Sequence, residues 1–280
     1  MEPIIKVSEL LKIYTSEKII IADVSNHPHA KSNFAHRHLE GAIFIDLNTQ
    51  LADIKEDLSN GGRHPLPKLE DFLQTIASMG ISPETHLVIY DDKNGANAAA
   101  RFWWMMKAIG HEKVQVLDGG FQAAEKLNFP MSSEIKPLQP TNARPTERWK
   151  LPTAAMDEVE SASKSENHLV IDVRENGRYN GTFEPIDLVA GHIPGAINVP
   201  FVENLDENGL FLAPDVLKTK YENIFGNIQS ENIIFHCGSG VTACHSILAL
   251  AHAKMEIPKL YVGSWSEWSR NNKPIATDLP

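Results

Sequence analysis

The stretch ENIIFHCGSGVTACHSILALAHA (231–253) passes from a β-branched and aromatic run, through a short glycine-containing loop, into an alanine- and leucine-rich helical pattern. A strand is expected over 232–236 and a helix over 241–254, with its start at Val241 or Thr242. Cys237 stands where the strand ends. Gly238 and Gly240 allow the backbone to curl so that successive N–H groups converge on one point. Those donors, with the positive end of the helix dipole, favour an anion there, so a thiolate is expected over a thiol. The same cradle suits a persulfide or an oxyanion. The competing reading is a buried cysteine that merely closes a strand.

Of two further readings of the loop, particular residues exclude the first and weaken the second. Residues 238–243 fit the loose dinucleotide pattern Gly-x-Gly-x-x-Ala, which expects an acidic residue about 20 positions on. The next strand instead ends in Tyr261-Val262-Gly263. A cysteine phosphatase needs an arginine six residues past its nucleophile to clamp phosphate, and that position is Ala243.

Outward from the loop, short β-branched runs alternate with helical patterns, which argues for parallel sheets covered by helices. Strands are expected at 18–25, 42–46, 86–91 and 113–117, with helices at 69–79 and 97–109. The second half has strands at 168–173, 196–199, 232–236 and 259–262, with helices at 214–225 and 241–254. The order is the same in both halves, and so are the local sequences. IIIADV (19–24) answers to HLVIDV (168–173), HLEGAIFID (38–46) to HIPGAINVP (192–200), and LDGGF (117–121) to YVGSW (261–265). Pro130 and Pro274 follow the last pair at equal distance. The chain reads as a duplicated α/β domain. Between the copies PLQPTNARPTERWKLP (137–152) has no periodicity and reads as a surface linker.

A length of 280 residues, with 42% apolar and 22% charged side chains, suits two globular domains. The net charge of -10 argues against a nucleic-acid footprint. No apolar run reaches the roughly 18 residues of a membrane span. The start MEPIIKVSELLKIY lacks the pattern of a secretory signal, so a cytoplasmic protein is expected. Cys237 and Cys244 are the two cysteines. Two helical turns, about 10 Å, would separate them, too far for a disulfide, and two thiols make a poor zinc site. Any role they have is expected to be that of a thiol in a reducing compartment.

CGSGVTA (237–243), GHIPGAINVPF (191–201), GSWSEW (263–268) and RFWWMMKAIGH (101–111) together resemble the tandem-domain rhodanese family, in its 3-mercaptopyruvate and thiosulfate sulfurtransferase branch. The resemblance implies two tandem rhodanese-like domains of α/β class, each a parallel sheet flanked by helices. It implies a non-catalytic domain at 1–137, a linker at 138–151, a catalytic domain at 152–280, and a site at the domain junction. The first copy has Asp91 where the second has Cys237, and a carboxylate cannot carry sulfur.

The roles the resemblance implies fall on single residues. Cys237 matches the sulfur-carrying nucleophile, within a substrate-binding loop that includes Gly238, Gly240, Val241 and Thr242. In DVRENGRYNGT (172–182), Asp172 and Arg178 match the pattern in which the arginine grips the donor's anionic group, which a guanidinium does with two hydrogen bonds. Ser239 matches a hydroxyl assigned to proton transfer in mercaptopyruvate enzymes, against the alternative of a helix cap. His64, in GGRHPLP (61–67), resembles the histidine of that relay. His236 reads as packing, and His38 and His192, at equivalent repeat positions, as structural. Two family features are missing: Ile186 follows Glu184-Pro185 where a second arginine is usual, and Asn48 stands where an acid usually supports the histidine.

The implied reaction is a double displacement, from an anionic donor to a thiol, cyanide or reduced thioredoxin, with no metal or organic cofactor. Ser239 predicts a preference for 3-mercaptopyruvate over thiosulfate, and the missing arginine predicts that the preference is modest. The alternatives are a non-enzymatic persulfide relay and, less well matched, a phosphatase or arsenate reductase.

Overall fold

The computed structural model describes residues 1–142 and 146–278, so residues 143–145 of the expected linker lie outside the described residues. The chain forms two compact units. The first comprises Met1–Ala52, Pro67–Lys150 and Glu207–Phe211; the second comprises Asp53–Leu66, Leu151–Asp206 and Leu212–Pro280. Residues 53–66 therefore belong to the unit that contains Cys237, although they precede most of the first copy in sequence.

Each unit is built on a parallel five-stranded sheet. Across the first sheet lie Ile4–Ile5, Val114–Leu117, His86–Tyr90, Ile19–Asp23 and Ala42–Phe44. Across the second lie Thr153–Ala154, Lys259–Tyr261, Ile233–His236, Leu169–Asp172 and Ile197–Asn198. With only the strands of each five-stranded sheet counted in chain order, both sheets have the order first, fifth, fourth, second, third, which is the duplication made visible as topology. Central strands of a covered parallel sheet are apolar on both faces. His86–Tyr90 and Ile233–His236 meet that demand, the second being buried throughout.

The helix after each central strand is buried almost all round. Ala99–Ala108 buries Phe102, Trp103 and Trp104, and Ala243–His252 buries Ile247, Leu248 and Leu250. Leu69–Ser78 instead buries one stripe, Phe72, Leu73 and Ile76, as an amphipathic helix over a sheet should. The equivalent histidines do the same job in each unit. His38 stacks on Phe34 at 4.0 Å between centroids and bonds the Phe34 carbonyl, while His192 stacks on Tyr179 at 3.8 Å and bonds the Tyr179 carbonyl.

Some elements differ from the sequence expectation. The helix after the Cys237 loop starts at Ala243, with Thr242 as its N-terminal cap residue. The edge strands Ile4–Ile5 and Thr153–Ala154 were not expected, because two residues are too few to carry a period. Within the expected linker, Trp149 packs on the first unit, 5.3 Å from Phe72 and 6.4 Å from Trp104 between ring centroids. Among the described residues no helix is long and apolar enough to cross a membrane.

Candidate active site

Strand register pairs His236 with Asp172, so Cys237 and Asp172 reach the same carboxyl end of the second sheet, where ligands of open α/β sheets bind. Cys237 is only 2% exposed. Its N–H donates to Ser264 Oγ at 3.2 Å, and the Ser264 hydroxyl donates to the Tyr261 carbonyl at 2.8 Å. The loop's carbonyls are held from the short helix Ser264–Trp268: Trp265 N–H donates to Cys237 O at 3.0 Å and Ser266 N–H to Gly238 O at 2.9 Å.

Carbonyls pinned on one side leave the amides for the other. Among the described residues, no acceptor takes the N–H groups of Ser239, Val241 or Thr242. The two glycines of the loop have different reasons. Gly240 has φ +70°, and a Cβ there would collide with the Val262 backbone, so both conformation and space require glycine. Gly238 does not adopt a left-handed conformation. A Cβ there would stand 3.0 Å from Arg63 Nη2 and 3.2 Å from Arg178 Nη2. Its missing side chain lets two guanidiniums, and the Asp187 carboxylate 3.6 Å from the same point, close in on the loop; the reason is space, not a turn.

A small cavity of about 110 Å³ is lined by Cys237, Gly238, Ser239 and Thr242 together with Arg63, Arg174, Arg178, Glu175, Ile186 and Phe201. The loop residues Gly240 and Val241 do not line it, and neither does Asp172. The Asp172 carboxylate is fully buried and accepts from Arg174 Nε at 3.0 Å and Arg174 Nη2 at 2.6 Å. Burial opposes its charge, yet the Arg174 guanidinium and its hydrogen bonds hold the acid below its ordinary range. Arg174 also donates to Gly191 O at 2.7 Å, pairs with Glu184, and lies over the Trp265 ring at 4.7 Å. Burial works against its charge too, and Asp172, Glu184 and Cys237 more than offset this, so its pKa rises.

Arg178 Nε donates to Glu184 at 2.9 Å, and its Nη2 lies 3.4 Å from Asp187. Asp187, whose side chain is wholly buried, also meets Arg63 and, at 3.0 Å, Arg270. His64 Nδ1 and Ser239 Oγ are 2.8 Å apart. The segment that carries His64 is tied to the second unit. Gly61 N–H donates to Glu267 at 2.9 Å, Arg63 N–H to Ser266 Oγ at 2.8 Å, and Asn271 Nδ2 to the Ser59 carbonyl at 2.8 Å. His236 is fully buried, with Nδ1 near the Cys237 carbonyl, and burial lowers its pKa. Cys244 is buried on the helix and its Sγ lies 3.4 Å from the Gly240 carbonyl; no disulfide joins it to Cys237.

The sequence reading brought Cys237, Gly238, Ser239, Thr242, Arg178 and His64 to this place, but not Arg63, Arg174, Glu184, Asp187 or Arg270. Arg174 had a signal, an arginine two residues past an aspartate that closes a strand. Arg63 is the immediate neighbour of His64. Nothing local links Asp187 to Arg63 and Arg270, which lie far from it in sequence.

The first unit has the matching place, and it is filled. Asp91 ends its strand as Cys237 does, and is fully buried. Its carboxylate accepts from the amides of Lys93 at 2.9 Å, Gly95 at 2.8 Å, Asn97 at 3.0 Å and Ala99 at 3.0 Å. Burial raises its pKa to about 6 against the bonds from Ala99, Lys93 and Gly95, which lower it.

A rhodanese-like domain pattern matches residues 6–126 and again residues 155–271. The 3-mercaptopyruvate sulfurtransferase of Mus musculus is 36% identical over 249 residues, which cover 88% of this chain and 81% of the mouse protein. The thiosulfate sulfurtransferase of Rattus norvegicus is 34% identical over 249 residues, covering 88% of this chain and 82% of the rat protein. Among solved structures, the 3-mercaptopyruvate sulfurtransferase SseA of Escherichia coli superposes with a TM-score of 0.78 at 29% identity, over 95% of this chain and 100% of that one.

Proposed function

The chain belongs to the rhodanese family, as a tandem-domain sulfurtransferase of the 3-mercaptopyruvate and thiosulfate type, and from that premise we propose that Cys237 carries the transferred sulfur as a persulfide while Arg178 holds the donor. In the first step the Cys237 thiolate attacks the outer sulfur of the donor, and the bond from that sulfur to carbon or to the second sulfur breaks. The electron pair leaves on pyruvate enolate, which takes up a proton, or on sulfite. In the second step an acceptor thiolate or cyanide attacks the outer sulfur of the persulfide and the Cys237 thiolate is restored. A reduced thioredoxin fits the acceptor role. A cytoplasmic setting suits chemistry that returns a thiol at every cycle.

The observation that carries this reading is the pairing, around one cysteine, of uncommitted amides with arginines. Ser239, Val241 and Thr242 present N–H groups that no acceptor among the described residues uses, and Cys237 shares its cavity with three guanidiniums. Donors fixed in advance around a site of anionic charge stabilise both the persulfide and the departing group. The 2.8 Å contact of His64 with Ser239 supports a proton route to the leaving enolate, a step that 3-mercaptopyruvate needs and thiosulfate does not. We therefore assign 3-mercaptopyruvate as the preferred donor.

The test is to expose the protein to each donor without an acceptor and weigh it intact. One added sulfur, mapped to Cys237 and released by cyanide, is expected. Sulfur mapped elsewhere, or normal turnover by Cys237→Ser, would end the proposal. Parallel kinetics with both donors test the preference.

A further inference from the structure

The sequence lacks the second arginine usual after Pro185, and Ile186, which stands there, lines the cavity with an apolar side chain. The cavity nevertheless has three guanidiniums. Arg174 is committed: Nε and Nη2 serve Asp172, Nη2 also serves Gly191 O, Nη1 pairs with Glu184, and the side chain is 1% exposed. Arg178 divides its donors among Glu184, Asp187 and, at 3.9 Å, Glu175, and is 10% exposed. Arg63 is different. Its Nη1 is anchored on Asp187, its backbone is anchored on Ser266, and its side chain is 18% exposed. Among the described residues no acceptor takes Arg63 Nη2, the atom 3.0 Å from the empty Cβ position of Gly238. Arg178 Nη2 closes on the same point from 3.2 Å.

We infer that Arg63 supplies the second guanidinium of the donor pocket, from a segment remote in sequence, and that with Arg178 it grips the anionic end of the donor above Gly238. This rests on the reading of Cys237 as sulfur carrier. Asp187 is the positioning residue. Its one buried carboxylate is shared by Arg63, Arg178 and Arg270, so it orients three cations and neutralises one. Arg63, Arg174, Arg178 and Arg270 together face three buried carboxylates, Asp172, Glu184 and Asp187, while the fourth acid, Glu175, is exposed and screened by solvent, so one positive charge is left over at the donor's place. A surplus charge discriminates by the charge of the ligand, so Arg63 favours the dianion thiosulfate more than the monoanion 3-mercaptopyruvate. It therefore works against the preference set by His64 and Ser239.

Arg63→Gln tests this. The KM for thiosulfate should rise about 10- to 100-fold, the loss of a charged hydrogen-bonding partner, the KM for 3-mercaptopyruvate should rise less, and kcat should change little for either. Alkylation of Cys237 gives a readout independent of turnover: the rate with anionic iodoacetate relative to neutral iodoacetamide should fall in Arg63→Gln and be largely kept in Arg63→Lys. A merely structural Arg63 would slow both reagents alike. Unchanged KM values and an unchanged reagent ratio, with Cys237→Ser still inactive, would overturn the role of Arg63 and leave the carrier intact. Turnover by Cys237→Ser would instead remove the carrier. If Arg63→Gln does not fold, Arg63→Lys decides: a raised KM for both donors is expected from loss of the planar fork, and wild-type values overturn the inference.

Discussion

Each unit buries an aspartate at the end of its second sheet strand, Asp23 in one and Asp172 in the other, and each carboxylate accepts from the amide two residues on, Ser25 at 2.9 Å and Arg174 at 3.0 Å. Backbone and burial are matched, yet the two acids shift in opposite directions. Burial raises Asp23, whereas Asp172 is lowered because Arg174 overrides the same burial. One side chain, serine or arginine, separates an inert strand end from the anchor of a cationic pocket. The neighbouring loops repeat the contrast. In the first unit four amides close on the Asp91 carboxylate, and in the second, among the described residues, no acceptor takes the amides of Ser239, Val241 and Thr242. A cradle built for an anion works only if the chain does not fill it with its own.

The sharpest attempt to break the comparison is to give the first unit a thiol. Asp91→Cys in a Cys237→Ser background should remain at least about a thousandfold below wild type in sulfur transfer to cyanide, the scale of losing a nucleophile. The reason is that Ser25 offers no guanidinium where Arg174 does. Recovered turnover would mean that the cradle alone suffices.

The next effect is on stability. Arg174→Met strands the buried Asp172 charge and should destabilise the second unit by about 3–5 kcal/mol, read by urea unfolding with proteolysis to report each unit. A loss below about 1 kcal/mol would show that Asp172 finds other partners.

The smallest effect sharpens the contrast through pH. An acid raised on folding holds more protons folded than unfolded, so its contribution is full below the unfolded pKa and is lost as pH climbs to the folded one. Asp91, at about 6, should therefore cost the first unit stability between about pH 4 and about pH 6. Asp172 is lowered, so its contribution holds above the ordinary carboxylate range and is lost only as pH falls through the depressed value. Asp91→Asn should flatten the first unit's slope while lowering its stability by about 1–3 kcal/mol, because one amide oxygen replaces two carboxylate oxygens. A slope that persists in Asp91→Asn would assign it elsewhere.

The sequence was most legible where the chain repeats itself and where a strand must be apolar on both faces. HLVIDV, IIFH and the CGSGVTA loop could be placed because their patterns are local. The edge strands at Ile4–Ile5 and Thr153–Ala154 could not, since a strand so short exists only through its neighbour. Cys237, Arg178, Ser239 and His64 were readable as types in a motif. The acids Glu184 and Asp187 looked like an ordinary polar loop, because their meaning lies in arginines at 63, 174, 178 and 270 that only folding assembles.

Arg63 and His64 ride on a stretch that folds into the unit holding Cys237 yet precedes most of the other unit along the backbone. A cut between the two copies would therefore yield one fragment with Cys237 and another with His64 and Arg63. The duplication can be divided as architecture, but the proposed reaction centre is a single inheritance that passes only with the uncut chain.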